Sequence, residues 1–123
     1  MARPIFVRFE TPSDVADKVL QLIQVANETG KIRVGTNEVT KSSERSEAKL
    51  VLLAEDVDPA EILIHLPMLC EEKRIPYLYV PKRQRLGQMA GLTKSAASVA
   101  VVEPGQGKPL LDELSQTFVT LKK

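Results

Sequence analysis

The sequence predicts an α/β protein, folded as a three-layer α/β/α sandwich around a mixed sheet of about four strands. Short apolar runs typical of strands alternate along the chain with longer segments in which apolar residues recur at helical spacing. The run Leu50–Ala54 is apolar at every position, which is typical of a strand covered by helices on both faces. The chain has 123 residues, 43% of them apolar, so we expect a single domain over residues 1–123.

The first helix is predicted to begin with Thr11 as N-cap, Pro12 at the first helical position and Asp14 three residues after the cap. Gly30 follows the last apolar position and allows the chain to leave the helix. A short strand over residues 32–34 is expected next. The apolar face of this helix consists of Val15, Val19, Leu22, Ile23 and Ala26.

The next two helices differ in polarity. The second is predicted to run from about Asn37 to Glu47 and is polar at almost every position apart from Val39, so its place must be explained by what it contacts. The third is predicted to begin in the segment 58–61, which repeats the capping pattern, and to end at about Lys73, with Pro67 bending or breaking it. Its apolar face consists of Ile62, Leu63, Leu66, Leu69 and Cys70.

The second half of the chain continues the alternation. Tyr77–Val80 is predicted as a strand in which both tyrosines belong to the core, and Pro81 is expected to open a basic helix. A loop over residues 91–95 precedes a fourth strand at 99–102, and a turn at 104–107 leads into a closing amphipathic helix. The apolar face of that helix consists of Leu110, Leu111, Leu114, Phe118 and Leu121.

Composition limits the possible environments and partners. Lys and Arg number 17 against 16 Asp and Glu, so a nucleic-acid site would have to be a local patch. Cys70 is the only cysteine, which excludes an internal disulfide and suits a reducing cytosol, and we expect it to be buried. The N-terminus lacks the apolar region of a signal peptide, and no run approaches the roughly 18 apolar residues of a membrane span. We expect a soluble protein of the cytoplasm.

Catalysis is poorly supported by the residues. His65 is the only histidine and is flanked by apolar residues, so we expect a hydrogen-bonded structural histidine rather than a general base or metal ligand. Neither GxGxxG nor GxxxxGK[ST] occurs, and the serines at 42, 43 and 46 have no histidine partner near them in sequence. We therefore expect no enzyme activity, no metal and no cofactor.

Three polar regions are instead predicted to converge on one edge of the sheet. On the second helix, residues three and four apart face the same way, so Glu38, Lys41 and Arg45 form one stripe near Asn37. Each region by itself is also typical of a solvated face or loop, whereas together they offer charge for a phosphate backbone and polar groups for base edges. The three regions are Asn37, Glu38, Lys41 and Arg45; Lys82, Arg83 and Arg85; and the loop Leu92, Thr93 and Lys94.

Three segments also resemble a known family. GTNEVTK from Gly35, the run EILIHLPMLCEEKRIPYLYVPKRQRLG from Glu61, and AASVAVVE at the last strand resemble the archaeal ribosomal L-seven-Ae family and its eukaryotic relatives in small nucleolar and spliceosomal particles. The resemblance covers nearly the whole chain. It implies an α/β/α sandwich that binds kink-turn RNA, a helix–bulge–helix bent at tandem sheared G·A pairs, without catalysis.

The resemblance also implies roles for individual residues. Asn37, Glu38 and Lys41 correspond to readers of the G·A pairs, while Arg45 is added from helical geometry alone. Asp58 and Ile62 match positions near the protruding bulge nucleotide, and Arg83 matches a basic position that contacts RNA there or on the backbone. Archaeal members commonly carry Leu-Glu-Val where this chain has Leu92, Thr93 and Lys94, so this loop is expected to discriminate RNAs differently.

Family members of this type act in the large ribosomal subunit, in box C/D and H/ACA guide particles and in ribonuclease P. The implied partners are ribosomal RNA, guide RNAs and ribonuclease P RNA, together with guide-particle proteins such as the box C/D scaffold protein and fibrillarin. A monomer without a membrane partner is expected. The alternative is a protein–protein adaptor that uses the same sandwich without binding RNA.

Overall fold

The computed structural model describes residues 9, 11–57 and 63–122. Within these residues the chain forms five α-helices, four strands and one short 3-10 turn at Gly105–Gly107. In chain order the elements are α1 (Ser13–Thr29), β1 (Lys31–Val34), α2 (Thr36–Glu44), β2 (Leu50–Ala54), α3 (His65–Lys73), β3 (Tyr77–Val80), α4 (Arg83–Met89), β4 (Ser98–Glu103) and α5 (Lys108–Lys122).

The four strands form one mixed sheet in the order β1-β4-β2-β3. Strand β4 runs antiparallel to both of its neighbours, while β2 and β3 are parallel. Strands β1, β2 and β3 therefore share one direction, and their carboxyl ends meet the amino end of β4 at the same edge. Helix α1 packs with α4 and α5, and α2 packs with α3. The predicted three-layer α/β/α sandwich is confirmed.

The core lies on both sides of the central strands. Every residue of β2 and β3 is buried, as the unbroken apolar run in β2 predicts. Phe9 and Phe118 join the two tyrosines of β3 in an aromatic cluster, with ring centroids 4.8 Å apart for Tyr77 and Phe118 and 5.1 Å apart for Phe9 and Tyr79. The Tyr77 hydroxyl donates to Glu71 Oε2 at 2.9 Å, which satisfies the polar group of a buried ring. Both tyrosines belong to the core, as predicted.

The start of α1 differs from the prediction. Pro12, not Thr11, is the N-cap, and no side chain caps the helix. The Thr11 hydroxyl instead accepts a hydrogen bond from the backbone N–H of Tyr79 at 3.2 Å. Because β3 is an edge strand, this long-range bond satisfies a backbone donor at the edge of the sheet. The prediction of a Thr11 cap was wrong because a tertiary partner uses the same hydroxyl.

Helix α3 also begins later than predicted. It starts at His65 with Ile64 as N-cap, so Pro67 falls in the first turn, where a missing N–H leaves no intrahelical bond unmade. Pro67 therefore does not break the helix, which continues to Lys73. The predicted cap at 58–61 lies outside the described residues. Among the helices described, none is both long and apolar enough to span a bilayer.

Candidate functional site

Four chain segments meet where the three parallel strands end and β4 begins. The N–H of Gly35 donates to the Ser98 carbonyl at 3.0 Å, and the N–H of Ala54 donates to the Ala97 carbonyl at 3.0 Å. The sheet order therefore places the start of α2, the end of β2, the start of α4 and the loop before β4 along one line. We call the residues 35–38, 55–57, 81–83 and 91–97 the polar edge. The three predicted polar regions therefore meet here through Asn37 and Glu38, through Lys82 and Arg83, and through the loop 92–94.

The first turn of α2 stands at one end of the polar edge. Gly35 has φ of 96°, a left-handed conformation that favours glycine, and it turns the chain directly from β1 into the helix. No side chain caps this helix end, so the backbone N–H groups of its first turn remain available to an acceptor from outside. Asn37 and Glu38 are exposed on the same turn. The turn can thus donate from its backbone and both donate and accept from its side chains.

Lys41 and Glu38 form a loose pair one turn apart. Lys41 Nζ lies 3.9 Å from Glu38 Oε1, and both side chains are more than half exposed, so the pair is worth little to stability. Both groups can therefore turn to a ligand at small cost. Arg45 lies farther from the polar edge than either of them, because α2 ends at Glu44 and its C-cap Arg45 is about 13 Å along the helix axis from Thr36. The Arg45 N–H donates to the Lys41 carbonyl at 3.1 Å, so Arg45 keeps the helical spacing of the predicted stripe at the far end of α2.

The opposite face of α2 explains how a polar helix is held. Val39, Ser42 and Ser43 are buried, and the helix packs on α3 through this face. Two of the serines on this polar helix, Ser42 and Ser43, are thus core residues. The Ser43 hydroxyl faces Cys70, whose pKa is raised to about 12, chiefly because burial disfavours the thiolate. Cys70 is buried as predicted and is a structural thiol rather than a nucleophile.

His65 lies near this contact, at the first position of α3. It is exposed, and its Nε2 lies 2.9 Å from Thr40 Oγ1 of α2. The prediction of a hydrogen-bonded histidine is correct, whereas its expected position inside an apolar helix is wrong. Within the described part of the chain, no group of three His, Cys, Asp or Glu side chains could hold a metal ion.

The start of α4 is fixed by a residue that the sequence reading missed. The helix begins at Arg83, two residues later than predicted, with Lys82 as an N-cap that makes no capping bond of its own. Asp56 Oδ1 accepts a hydrogen bond from the Arg83 N–H at 2.8 Å and supplies the missing cap from the end of β2. An acidic residue just after a parallel strand is the only sequence signal for this role. The side chains of Lys82, Arg83 and Arg85 are exposed.

The loop before β4 is pressed against α4. A Cβ atom on Gly87 would overlap the carbonyl oxygen of Lys94, so only glycine lets the two backbones approach this closely. The Leu92 N–H donates to the Gly87 carbonyl at 2.9 Å, and the Ala96 N–H donates to the Arg83 carbonyl at 3.0 Å. These contacts hold Leu92, Thr93 and Lys94 beside the basic start of α4, with all three side chains exposed. Asp58 and Ile62, the other predicted site residues, lie outside the described residues.

Comparison with known proteins agrees with this architecture. Among solved structures, the chain is similar to one described as "Giardia lamblia 15.5kD RNA binding protein", with a TM-score of 0.89 and 26% sequence identity over 98% of this chain and 99% of that one. Residues 17–111 match the family model described as "Ribosomal protein L7Ae/L30e/S12e/Gadd45 family". That match runs from within α1 into the first turn of α5 and includes the whole polar edge. The chain therefore belongs to the ribosomal protein L7Ae/L30e/S12e/Gadd45 family.

Proposed function

We propose that this protein binds RNA and recognises kink-turn motifs through its polar edge, as a component of ribonucleoprotein particles. The observation that carries the proposal is the uncapped first turn of α2, which presents Asn37 and Glu38 beside Lys41 where the strand ends meet. Membership of a ribosomal protein family and the likeness to a Giardia RNA-binding protein support it. The localisation that we propose is the cytoplasm, and we propose no catalysis by this chain alone.

The chemistry of the first turn suits a sheared G·A pair. In such a pair the guanine uses its sugar edge, which leaves other groups of its edge free to be read. Glu38 is a pure acceptor for guanine N–H donors, while Asn37 and Lys41 supply donors for the acceptors beside them. The open N–H groups of the helix end add a site for a phosphate or another acceptor. A loose Glu38–Lys41 pair at 3.9 Å costs little to break when RNA binds.

The remainder of the polar edge supplies backbone attraction and an apolar cover. Arg83 and Lys94 are exposed cations on segments that touch each other, so they can contact phosphates on adjacent nucleotides. Leu92 is 38% exposed and offers an apolar surface against an unstacked base. By the family resemblance, Asp58 and Ile62 are proposed to lie near the protruding bulge nucleotide. By the same resemblance, Lys94 adds a positive charge where archaeal members commonly carry a valine, and Thr93 replaces their acid.

The mechanism that follows is selection of a minor RNA conformer. A free kink-turn exchanges between extended and bent forms, and a protein that binds only the bent form shifts the population by its differential affinity. The bent RNA is then a fixed frame on which other proteins assemble. We propose ribosomal RNA, box C/D and H/ACA guide RNAs and ribonuclease P RNA as the class of targets, with the box C/D scaffold protein and fibrillarin as partners on guide RNAs.

The test is a titration of the protein into a kink-turn RNA with a fluorophore on each arm, at low magnesium concentration, where the free RNA is extended. We expect energy transfer to rise as the RNA bends, and no change with a control RNA whose G·A pairs are replaced. Glu38→Ala protein serves as the matched protein control, because the substitution changes one exposed side chain of the proposed site.

Two results would contradict the proposal. Absence of binding to either RNA would leave the protein–protein adaptor as the better description of this sandwich. Equal affinity for the kink-turn and for a straight duplex would mean that the polar edge binds nucleic acid by charge alone.

A further inference from the structure

The hydrogen bond between Thr40 and His65 has a direction that the structure determines. Thr40 Oγ1 lies 2.7 Å from the backbone carbonyl oxygen of Thr36 and 2.9 Å from His65 Nε2. A carbonyl can only accept, so the single hydroxyl proton of Thr40 is donated to Thr36. The hydroxyl oxygen must then accept from His65, which places a proton on Nε2 of the imidazole. The three groups form one chain from α3 into α2.

This chain ends at the part of α2 that faces the polar edge. Thr36 is the first residue of the helix, and Asn37 and Glu38 follow it directly. The buried face of α2 holds the helix against the core through the packing of Val39, Ser42 and Ser43, and packing by itself is less directional than a hydrogen bond. A hydrogen bond prefers a narrow range of distance and angle, so the bond from His65 restricts the rotation of the first turn.

We propose that Thr40 and His65 are positioning residues that orient the first turn of α2 for RNA recognition. The inference rests on the proposed function, and neither residue is assigned a contact with RNA. Thr40 acts through the carbonyl of Thr36, and His65 acts through Thr40. The first turn is therefore held in place before RNA arrives, which lowers the ordering cost of binding.

The experiment measures kink-turn affinity for Thr40→Val, which removes the hydroxyl and keeps the shape of the side chain, beside Thr40→Ser, which keeps the hydroxyl. We expect Thr40→Val to weaken binding by about twofold to tenfold, the range for one lost hydrogen bond, and Thr40→Ser to bind within about twofold of the wild type. His65→Phe should reproduce the loss, and Thr40→Val combined with His65→Phe should be no worse than either alone, because both remove the same bond.

A second comparison separates positioning from a general effect on the fold. In a Glu38→Ala background, Thr40→Val should reduce kink-turn affinity by a clearly smaller factor than in the wild type, because the side chain that Thr40 positions is gone. The imidazole nitrogen NMR signals of His65 should report a proton on Nε2 in the free wild type and a change of tautomer population in Thr40→Val. Thermal unfolding of each variant checks that it is folded. If Thr40→Val is not folded, His65→Phe, which changes an exposed residue, replaces it in these comparisons.

The inference is overturned if Thr40→Val binds the kink-turn as tightly as the wild type. It is also overturned if Thr40→Val reduces the affinity by the same factor in the wild-type and Glu38→Ala backgrounds. It is also overturned if His65 lacks a proton on Nε2. A wild type that does not bind the kink-turn rejects the proposed function itself, and that result is distinct because it appears before any variant is made.

Discussion

Asp56 and Arg83 are joined across the polar edge by a hydrogen bond of 2.8 Å, from the Arg83 backbone N–H to a carboxylate oxygen of Asp56. The carbonyl of Arg83 accepts in turn from the Ala96 N–H at 3.0 Å. The backbone of one residue thus ties the end of β2 and the loop before β4 to the start of α4. The Arg83 side chain remains exposed beside these bonds.

Replacing Asp56 by alanine should destabilise the start of α4. The Arg83 N–H would lose its acceptor, as in the removal of an N-cap side chain, so we expect the free energy of unfolding to fall by about 1 kcal/mol. Asp56→Asn keeps an acceptor oxygen and is the matched control. Urea denaturation of the three proteins measures the effect, and an Asp56→Ala protein as stable as the wild type would show that the bond contributes nothing.

Gly87→Ala should push the loop of Leu92 to Lys94 away from α4. Alanine is the better helix former by about 1 kcal/mol, but overpacking costs about 1–3 kcal/mol. Because the overlap is with a backbone carbonyl, we expect a cost near the top of that range and a net loss of about 2 kcal/mol. Gln88→Ala, at an exposed neighbouring position, should leave the free energy of unfolding nearly unchanged. Equal stability of the two variants would argue against the close backbone approach.

Replacing Glu38 and replacing Arg83 should change the salt dependence of RNA binding differently. Glu38→Ala removes a proposed base-edge contact, so we expect kink-turn binding to weaken by about 1–3 kcal/mol at every salt concentration. Arg83→Ala removes a proposed phosphate contact, so the slope of log affinity against log salt should become shallower by about one unit. Fluorescence anisotropy across a salt series measures both, and wild-type affinity in Glu38→Ala would contradict the assigned site.

Cys70 should make stability sensitive to alkaline pH. Its pKa is about 12 in the folded protein against an ordinary 9.0, so the unfolded thiol ionises first as pH rises. The stabilisation of the neutral thiol is complete below pH 9 and is lost between pH 9 and about 12. From pH 8 to 10, the wild type should lose on the order of 1 kcal/mol more of its free energy of unfolding than Cys70→Ala, measured by urea denaturation. Equal losses in the two proteins would mean that the thiol ionises as easily folded as unfolded.

The wrong prediction for Thr11 and the missed role of Asp56 share a physical cause. Thr11 was expected to cap α1 because capping is a local rule, yet its hydroxyl accepts from Tyr79, which is 68 positions away in sequence. Asp56 was not singled out because its acceptor role exists only once β2 and α4 lie side by side. Side chains that satisfy distant backbone groups cannot be identified from local spacing, because the partner is set by the tertiary fold.

Periodicity and apolar content in the sequence alone determined the order of strands and helices, the central place of β2 and the polar nature of α2, since burial forces an apolar pattern on each element. Only the tertiary structure decided which polar groups meet. The sheet order β1-β4-β2-β3 brings Gly35 beside Ser98 and places the loop of Lys94 against Gly87. These contacts depend on strand order and backbone approach, which act between residues far apart in sequence and leave no periodic signal along the chain.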